Sequence, residues 1–302
     1  MNLTALKKIN HGYLFIAPFV IGFLIFGLYP VVNTLALSFT DMTLMTREGN
    51  WNDFQNFTRL FADDVFMTAV GNTWLLWILN FIPQIGIAML LSMWFTNARL
   101  RLKGVGLWRA MFFLPNLLMP AAVAALFFSL FSYYGPVNQV MVRFDLLPEA
   151  VHFLQKIPVA RALVIFIQWW MWYGQTTILL MAAITSVSPA LYEAALIDGA
   201  GTGQIFRYVT LPLLTPIIAV VMTFSVLFTF TDFQLIYVLT RGGPVNATHL
   251  MATLSFQRAI SGGALGEGAA LATAMVPFLM AAILFSYFGL QRRAWQQGGS
   301  DR

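Results

Sequence analysis

The sequence predicts an all-α, polytopic membrane protein with six transmembrane helices. Hydrophobic residues fill 59% of the 302 positions and charged residues only 10%, where an ordinary soluble domain carries about a quarter charged. The apolar residues gather in six long runs, each close to the roughly 20 residues a helix needs to cross a hydrocarbon core. No ten-residue alternating pattern of a membrane barrel appears. Lipid offers no partner for backbone amides, so each run has to close its hydrogen bonds internally, as helix.

In order, the chain reads as a cytoplasmic N-terminal tail (1–12), spans over about 13–37, 69–95, 111–131, 162–184, 213–238 and 269–290, and a cytoplasmic C-terminal tail (291–302). The six spans make one transmembrane domain, 13–290, with a connecting loop at 186–212. Lys7 and Lys8 precede the first apolar run, which is too long for a signal-peptide core and lacks a small-residue cleavage site, so it is expected to stay as a span. Pro18, Pro30, Pro83, Pro115, Pro120 and Pro277 fall in or near spans and are expected to bend them.

Lys and Arg set the orientation. With the N-terminus inside, ten of the 17 basic residues fall on the cytoplasmic side and seven outside. The dense cluster of Arg99, Arg101, Lys103 and Arg109 in the short loop after span two is the informative part of that bias. Both termini are then cytoplasmic, and so is the loop between spans four and five. The outer loops, about 39–67, 132–161 and 240–268, are longer and carry most of the acids; they read either as a docking surface for an extracytoplasmic partner or as solvated connectors.

Several function classes are excluded or left without support. The chain has no cysteine, so thiolate chemistry and disulfides are absent, and His11, His152 and His249 are too scattered in sequence to suggest a metal cluster. The net charge of +5 comes from basic residues at the ends of apolar runs, without the aromatic interleaving of a nucleic-acid surface. None of Lys7, Lys8, Lys103 or Lys156 follows a glycine, so the Gly199–Gly203 run is no Walker A loop. No paired carboxylates or Ser/His/Asp grouping points to an enzyme.

The loop at 186–212 carries the strongest signal. Ser188 before Pro189 is a good helix start, a hydroxyl at the N-cap ahead of proline at the first helical position. A short helix is expected from Pro189 to Ile197, with Ala190, Ala194 and Ile197 on one narrow face open to close approach. Gly199, Gly201 and Gly203 then permit a sharp change of direction before Pro212 opens span five.

Within that loop, Glu193-Ala194-Ala195, then Gly199, then Val209-Thr210-Leu211-Pro212 after nine intervening residues, resembles the EAA signature of bacterial ABC-importer permeases. Only Val209, standing for Ile, departs from the pattern. The resemblance implies the type I ABC importer permease fold, and that Glu193, Ala194, Ala195, Asp198 and Gly199 form a coupling element seated in a cleft of a separate ATPase subunit. Glu193 has two candidate partners, a basic residue of that ATPase or Arg207 of its own chain. The resemblance further implies a heterodimer with a second, homologous permease subunit, two ATPase subunits holding ATP and Mg, an extracytoplasmic solute-binding protein, and a place in the bacterial inner membrane. No cofactor is expected on this chain itself.

Polar residues inside spans mark a pathway. Gln168, Trp172 and Gln175 share one face of span four; an indole between amides suits a sugar, with its apolar CH face and rim of hydroxyls. The alternative is that Trp169, Trp170, Trp172 and Tyr173 form an interfacial aromatic belt. Span five carries Thr229, Asp232 and Gln234. Asp232 is the one carboxylate well inside a span, about 9 Å below its outer end at 1.5 Å per residue. It has no Lys or Arg at comparable depth, so it must bond substrate or a second subunit, stay hydrated, or be protonated.

Leu239-Thr240-Arg241-Gly242-Gly243-Pro244 resembles the LTxGGP element of the carbohydrate-importer group of that family, typified by the larger membrane subunit of maltose-type transporters. Tyr13-Leu14-Phe15, Phe112-Phe113-Leu114-Pro115 and Gly135-Pro136-Val137-Asn138 also fit that group. A gapless match places Asn116, Gln168, Trp172, Gln175, Phe228, Thr229 and Asp232 at positions that contact sugar in such permeases, although most identities differ. The implied activity is ATP-driven uptake of a sugar or short oligosaccharide. Import of glycerol 3-phosphate or another small polar solute is an alternative, mildly disfavoured by the acid at 232. An ion-coupled secondary transporter using Asp232, or a nontransporting scaffold, are the rivals from other classes.

Overall fold

A computed structural model describes residues 11–46, 48–97 and 103–298. Lys7, Lys8, Arg47, Arg99, Arg101 and Arg302, which entered the orientation argument, lie outside the described residues.

Helix follows helix through the described chain. α1 (His11–Phe23) passes through a π-type turn, Leu24–Leu28, into α2 (Tyr29–Leu37); α3 (Gln55–Phe61) and α4 (Asp64–Thr96) follow. α5 (Val105–Phe113) runs into a 3-10 turn, Leu114–Leu117, ahead of α6 (Pro120–Leu130) and α7 (Pro136–Arg143). α8 (Ile157–Ser186) and α9 (Pro189–Ile197) precede α10 (Thr202–Ile205), which continues through a π-type segment, Phe206–Thr210, into α11 (Leu211–Thr231). α12 (Gln234–Leu239), α13 (Met251–Phe256) and α14 (Leu265–Gly298) complete the order.

Four of these stretches are long and apolar enough to cross a membrane, namely Phe15–Leu37, Asp64–Thr96, Thr202–Thr231 and Leu265–Phe285. The count rises to six if each of two bent pairs is one span: Val105–Leu117 with Pro120–Leu130, bent by 88°, and Ile157–Ser186 with Pro189–Ile197, bent by 70°. Both bends have the same cause. Met119 (ψ 127°) and Ser188 (ψ 127°) each precede a proline and are extended, because the proline ring disfavours the helical region for the residue before it.

Pro18, Pro83 and Pro277 sit inside helices that run on without a break of this kind. The fifth expected span changes at both ends. Its helix begins at Thr202, well before Pro212, because the extended Gly201 gives its N–H to Gln204 Oε1 at 2.8 Å and starts the turn there. At the far end it is interrupted at Asp232–Phe233, where Asp232 turns extended (ψ 102°). Asp232 therefore sits at a helix break and not within a continuous span.

The chain divides into two compact units, Met1–Ala62 with Ser255–Ala274, and Asp63–Leu254 with Met275–Arg302. In the first, Thr40 and Trp51 form an isolated antiparallel bridge, and the Phe39 ring stacks on Trp51 at 5.2 Å. The buried Asn56 donates to the Ser38 and Thr40 carbonyls at 2.9 and 2.8 Å. Arg59 and Arg258 both approach Glu267, at 4.0 and 3.8 Å.

In the second unit α4 packs along α8, and α6 against α12. Leu76, Val123, Val164, Ile167, Leu235 and Ile236 form its centre. Gly174 lets α8 approach α5 closely: an added Cβ would fall on the Phe112 carbonyl oxygen. The loops that follow α6 and α12 in this unit are built rather than loose. Asn138 donates to the Ser132, Tyr133 and Val151 carbonyls and accepts the Val151 N–H. Asn72 of α4 donates to the Asn246 and His249 carbonyls, at 2.8 and 3.3 Å. Arg161 spans the same place, with Nη2 on Asn72 Oδ1 at 2.7 Å and Nε on the Ala247 carbonyl at 2.9 Å.

Candidate functional site

The expected coupling helix forms over its expected range, Pro189–Ile197. Ser188 occupies the N-cap position, but its hydroxyl makes no capping bond; the extended backbone ahead of Pro189 sets the start without it. At the far end the Asp198, Gly199 and Ala200 N–H groups close onto the Ala194, Leu196 and Ala195 carbonyls. Gly199 has φ +79°, a left-handed conformation that L side chains rarely adopt.

This helix presents its residues outward. Ala190, Glu193, Ala194, Asp198 and Gly199 are exposed, Ala195 is half-buried, and Ile197 is 86% exposed. Ile197 shares its bare face with the small Ala190 and Ala194. Neither Glu193 nor Arg207 has an ion-pair partner among the described residues; the Arg207 guanidinium lies over the Tyr208 ring at 5.9 Å.

The second site is a cavity of about 330 Å³ enclosed by α4, α8, α11 and the break before α12. Six of the seven expected pathway residues line it: Gln168, Trp172, Gln175, Phe228, Thr229 and Asp232. The seventh does not. Asn116 is half-buried in the 3-10 turn before Pro120 and is not among the lining residues. The break at Leu118–Met119 takes that turn out of line with α6, and Pro120 lines the cavity in its place.

Two expected residues from different helices pair directly. Gln168 Nε2 donates to Asp232 Oδ2 at 2.9 Å, and the Leu235 N–H reaches Asp232 Oδ1 at 3.3 Å. The acid thus has a partner within its own chain, which its lack of a nearby Lys or Arg did not foretell. Trp172 and Phe228 also meet, stacked at 4.1 Å with 18° between planes. One face of the indole is therefore covered, and the aromatic surface toward the cavity is that of the pair.

The aromatic residues of the cluster on α8 meet different neighbours. Tyr173 is buried against the edge of Phe112, Trp170 meets Phe127, and Trp172 faces the cavity. Sequence reasoning missed the contribution of α4. Asn80 donates to Thr229 Oγ1 at 3.2 Å, and Gln84 donates to Thr176 Oγ1 at 2.9 Å and meets Ser225. The signal was available, since two amides at i and i+4 in an otherwise apolar span share a face that has to find polar company.

A cavity of this size, mostly apolar with a few convergent polar groups, has the character of a small-solute site. No group of three or more potential metal-ligating His, Cys, Asp or Glu side chains occurs among the described residues.

Comparison with known proteins places these features in a family. The lactose transport system permease protein LacF of Rhizobium radiobacter is 33% identical over 241 residues, covering 79% of each chain. The arabinooligosaccharides transport system permease protein AraP of Bacillus subtilis is 28% identical over 277 residues, 91% of this chain and 86% of that one. A chain from the crystal structure of a bacterial ABC transporter involved in the import of the acidic polysaccharide alginate superposes with a TM-score of 0.79 at 26% identity, covering 95% of this chain and 98% of that one. The family described as binding-protein-dependent transport system inner membrane component matches over residues 72–296, and the chain belongs to it.

Proposed function

We propose that this chain is a permease subunit of an ATP-driven importer that moves a sugar or short oligosaccharide inward across the bacterial inner membrane. It performs no covalent chemistry. ATP and Mg reside on two separate ATPase subunits, α9 seats in a cleft of one of them, and both termini and α9 face the cytoplasm. A second, homologous permease completes the pathway, and an extracytoplasmic binding protein delivers the solute to the outer loops.

One observation carries this reading: the EAA segment folds as a short helix turned 70° from α8, with its small-residue face and Ile197 bare. A lever of this kind turns closure of a partner into motion of the helices attached to it. Relatives whose names specify lactose and arabinooligosaccharides support a carbohydrate as the cargo. The stacked aromatic pair beside buried amides supports it chemically, offering an apolar surface to a sugar ring and acceptors to its hydroxyls.

The test is Gly199→Val in the assembled complex. The left-handed backbone at 199 (φ +79°) is a genuine outlier for a β-branched residue, so the end of α9 has to rearrange. The expected result is loss of solute-stimulated ATP turnover and of uptake, with the cavity's ligand protection retained. Normal coupling in that variant refutes the lever.

A further inference from the structure

Resting on the reading that the cavity takes the transported solute, we infer that it selects uncharged, hydroxyl-bearing saccharides and rejects carboxylate-bearing ones, with Asp232 as the selecting group. The inventory of the cavity wall leads there. Asp232 is the one acid among the lining residues, and no Lys, Arg or His lines the cavity. Both carboxylate oxygens accept N–H bonds, from Gln168 and from Leu235, the arrangement of an ionised carboxylate.

The buried amides add to the same sign. Gln168 and Asn80 are 3% and 2% exposed, and each keeps an amide oxygen without a partner. One N–H of each is committed, to Thr229 from Asn80 and to Asp232 from Gln168. Hydroxyl groups of a neutral sugar can donate to the Asp232 carboxylate and to the amide oxygens of Gln175 and Gln234, which line the same cavity. A solute carboxylate supplies none and meets Asp232 as a like charge. At about 8 Å and an effective dielectric near 40, that repulsion is worth about sixfold per charge. The structurally similar transporter imports, by its description, the acidic polysaccharide alginate; the acid here points to the opposite preference.

The absence of cysteine provides a direct test. Thr231 is exposed and lines the cavity beside Asp232, so Thr231→Cys places one thiol of this subunit there in the assembled importer. Cationic and anionic methanethiosulfonates are compared, each normalised to its rate with a free thiol, and the unsubstituted complex serves as the blank. The cationic reagent is expected to react at least about tenfold faster, and adding Asp232→Asn is expected to bring the two within about twofold.

Lactose, maltose and cellobiose are then compared with their aldobionic acids as protectants, and only the neutral members are expected to slow labelling. Equal rates for the two reagents, a ratio that survives Asp232→Asn, or equal protection by the acids would overturn the inference. If the ratio behaves as expected while no saccharide protects, the charge selection stands and the sugar reading of the cavity fails.

Discussion

Replacing Asn72 is expected to release the segment after α12, and the structure sets the size of the effect. Its side chain is 3% exposed and joins three places: the Asn246 and His249 carbonyls, to which it donates, and Arg161, from which it accepts at 2.7 Å. Asn72→Ala deletes all three bonds. The Asn246 carbonyl keeps the His249 N–H at 3.2 Å, so that bond is partly replaced. The other carbonyl loses the amide, and the guanidinium keeps only the Ala247 carbonyl. An unsatisfied buried group is worth about 1–3 kcal/mol and coupled losses do not add fully, so the net loss is about 2–4 kcal/mol. For a chain of this size that corresponds to roughly 5–10 °C in unfolding midpoint. Asn72→Asp separates the contributions, because it keeps an acceptor for Arg161 but sets a carboxylate against two carbonyl oxygens. It is expected to be no more stable than Asn72→Ala. Thermal unfolding of the detergent-solubilised complex, with limited proteolysis at 240–250, measures both. A midpoint within about 1 °C of the parent for Asn72→Ala, or an aspartate that restores stability, refutes the clamp.

Two further outcomes follow from close packing in the same unit. Burial lowers the His249 ring below its ordinary value, so the fold favours the neutral form; its contribution is complete above about pH 6.5 and is lost as pH falls toward the lower folded value. Acidification from pH 7.5 to 5.5 is therefore expected to lower the unfolding midpoint of the parent more than that of His249→Gln, and parallel pH profiles would refute this. Gly174→Ala sets a Cβ onto the Phe112 carbonyl oxygen and 2.7 Å from its carbon. The obstacle is backbone and cannot turn aside, so α5 and α8 have to part, at about 3 kcal/mol, the upper end of overpacking losses. A midpoint unchanged by that substitution would show that the helices do not meet as described.

The features most legible in the sequence were those set by local chemistry. Proline at the first helical position located the start of α9 to the residue, and the run of glycines located the change of direction after it, where Gly199 takes the positive φ. Gln168, Trp172 and Gln175 were readable because one helix periodicity puts them on one face, and they do share the cavity. What the sequence hid was tertiary. That Gln168 bonds Asp232, 64 positions away, is a fact about two helices and leaves no mark in either alone. Asn116 matched the family pattern, yet the break before Pro120 removed it from the cavity lining. Asn80 and Gln84 were visible as amides in an apolar run but gained meaning only with Thr229, Thr176 and Ser225 opposite them.

The acid in the fifth apolar run and the interruption of its helix have one physical origin. A helix broken at membrane depth leaves N–H groups that lipid cannot satisfy, at several kcal/mol each, so irregular backbone persists only where protein or a water-filled cavity supplies partners. Asp232 supplies one itself: it ends α11 with extended backbone, and its Oδ1 takes the N–H of Leu235 in the first turn of α12. Its other oxygen is held by Gln168 from α8, so the break is tied to a neighbouring helix as well as to the cavity. A residue that only terminated the helix would not need a charge, because an asparagine oxygen accepts the same N–H bond. Asp232→Asn keeps the Leu235 bond, and the tie to α8 is kept once the Gln168 amide turns to offer its partnerless Oε1 to the new Nδ2, so the variant removes the charge while the break stays closed.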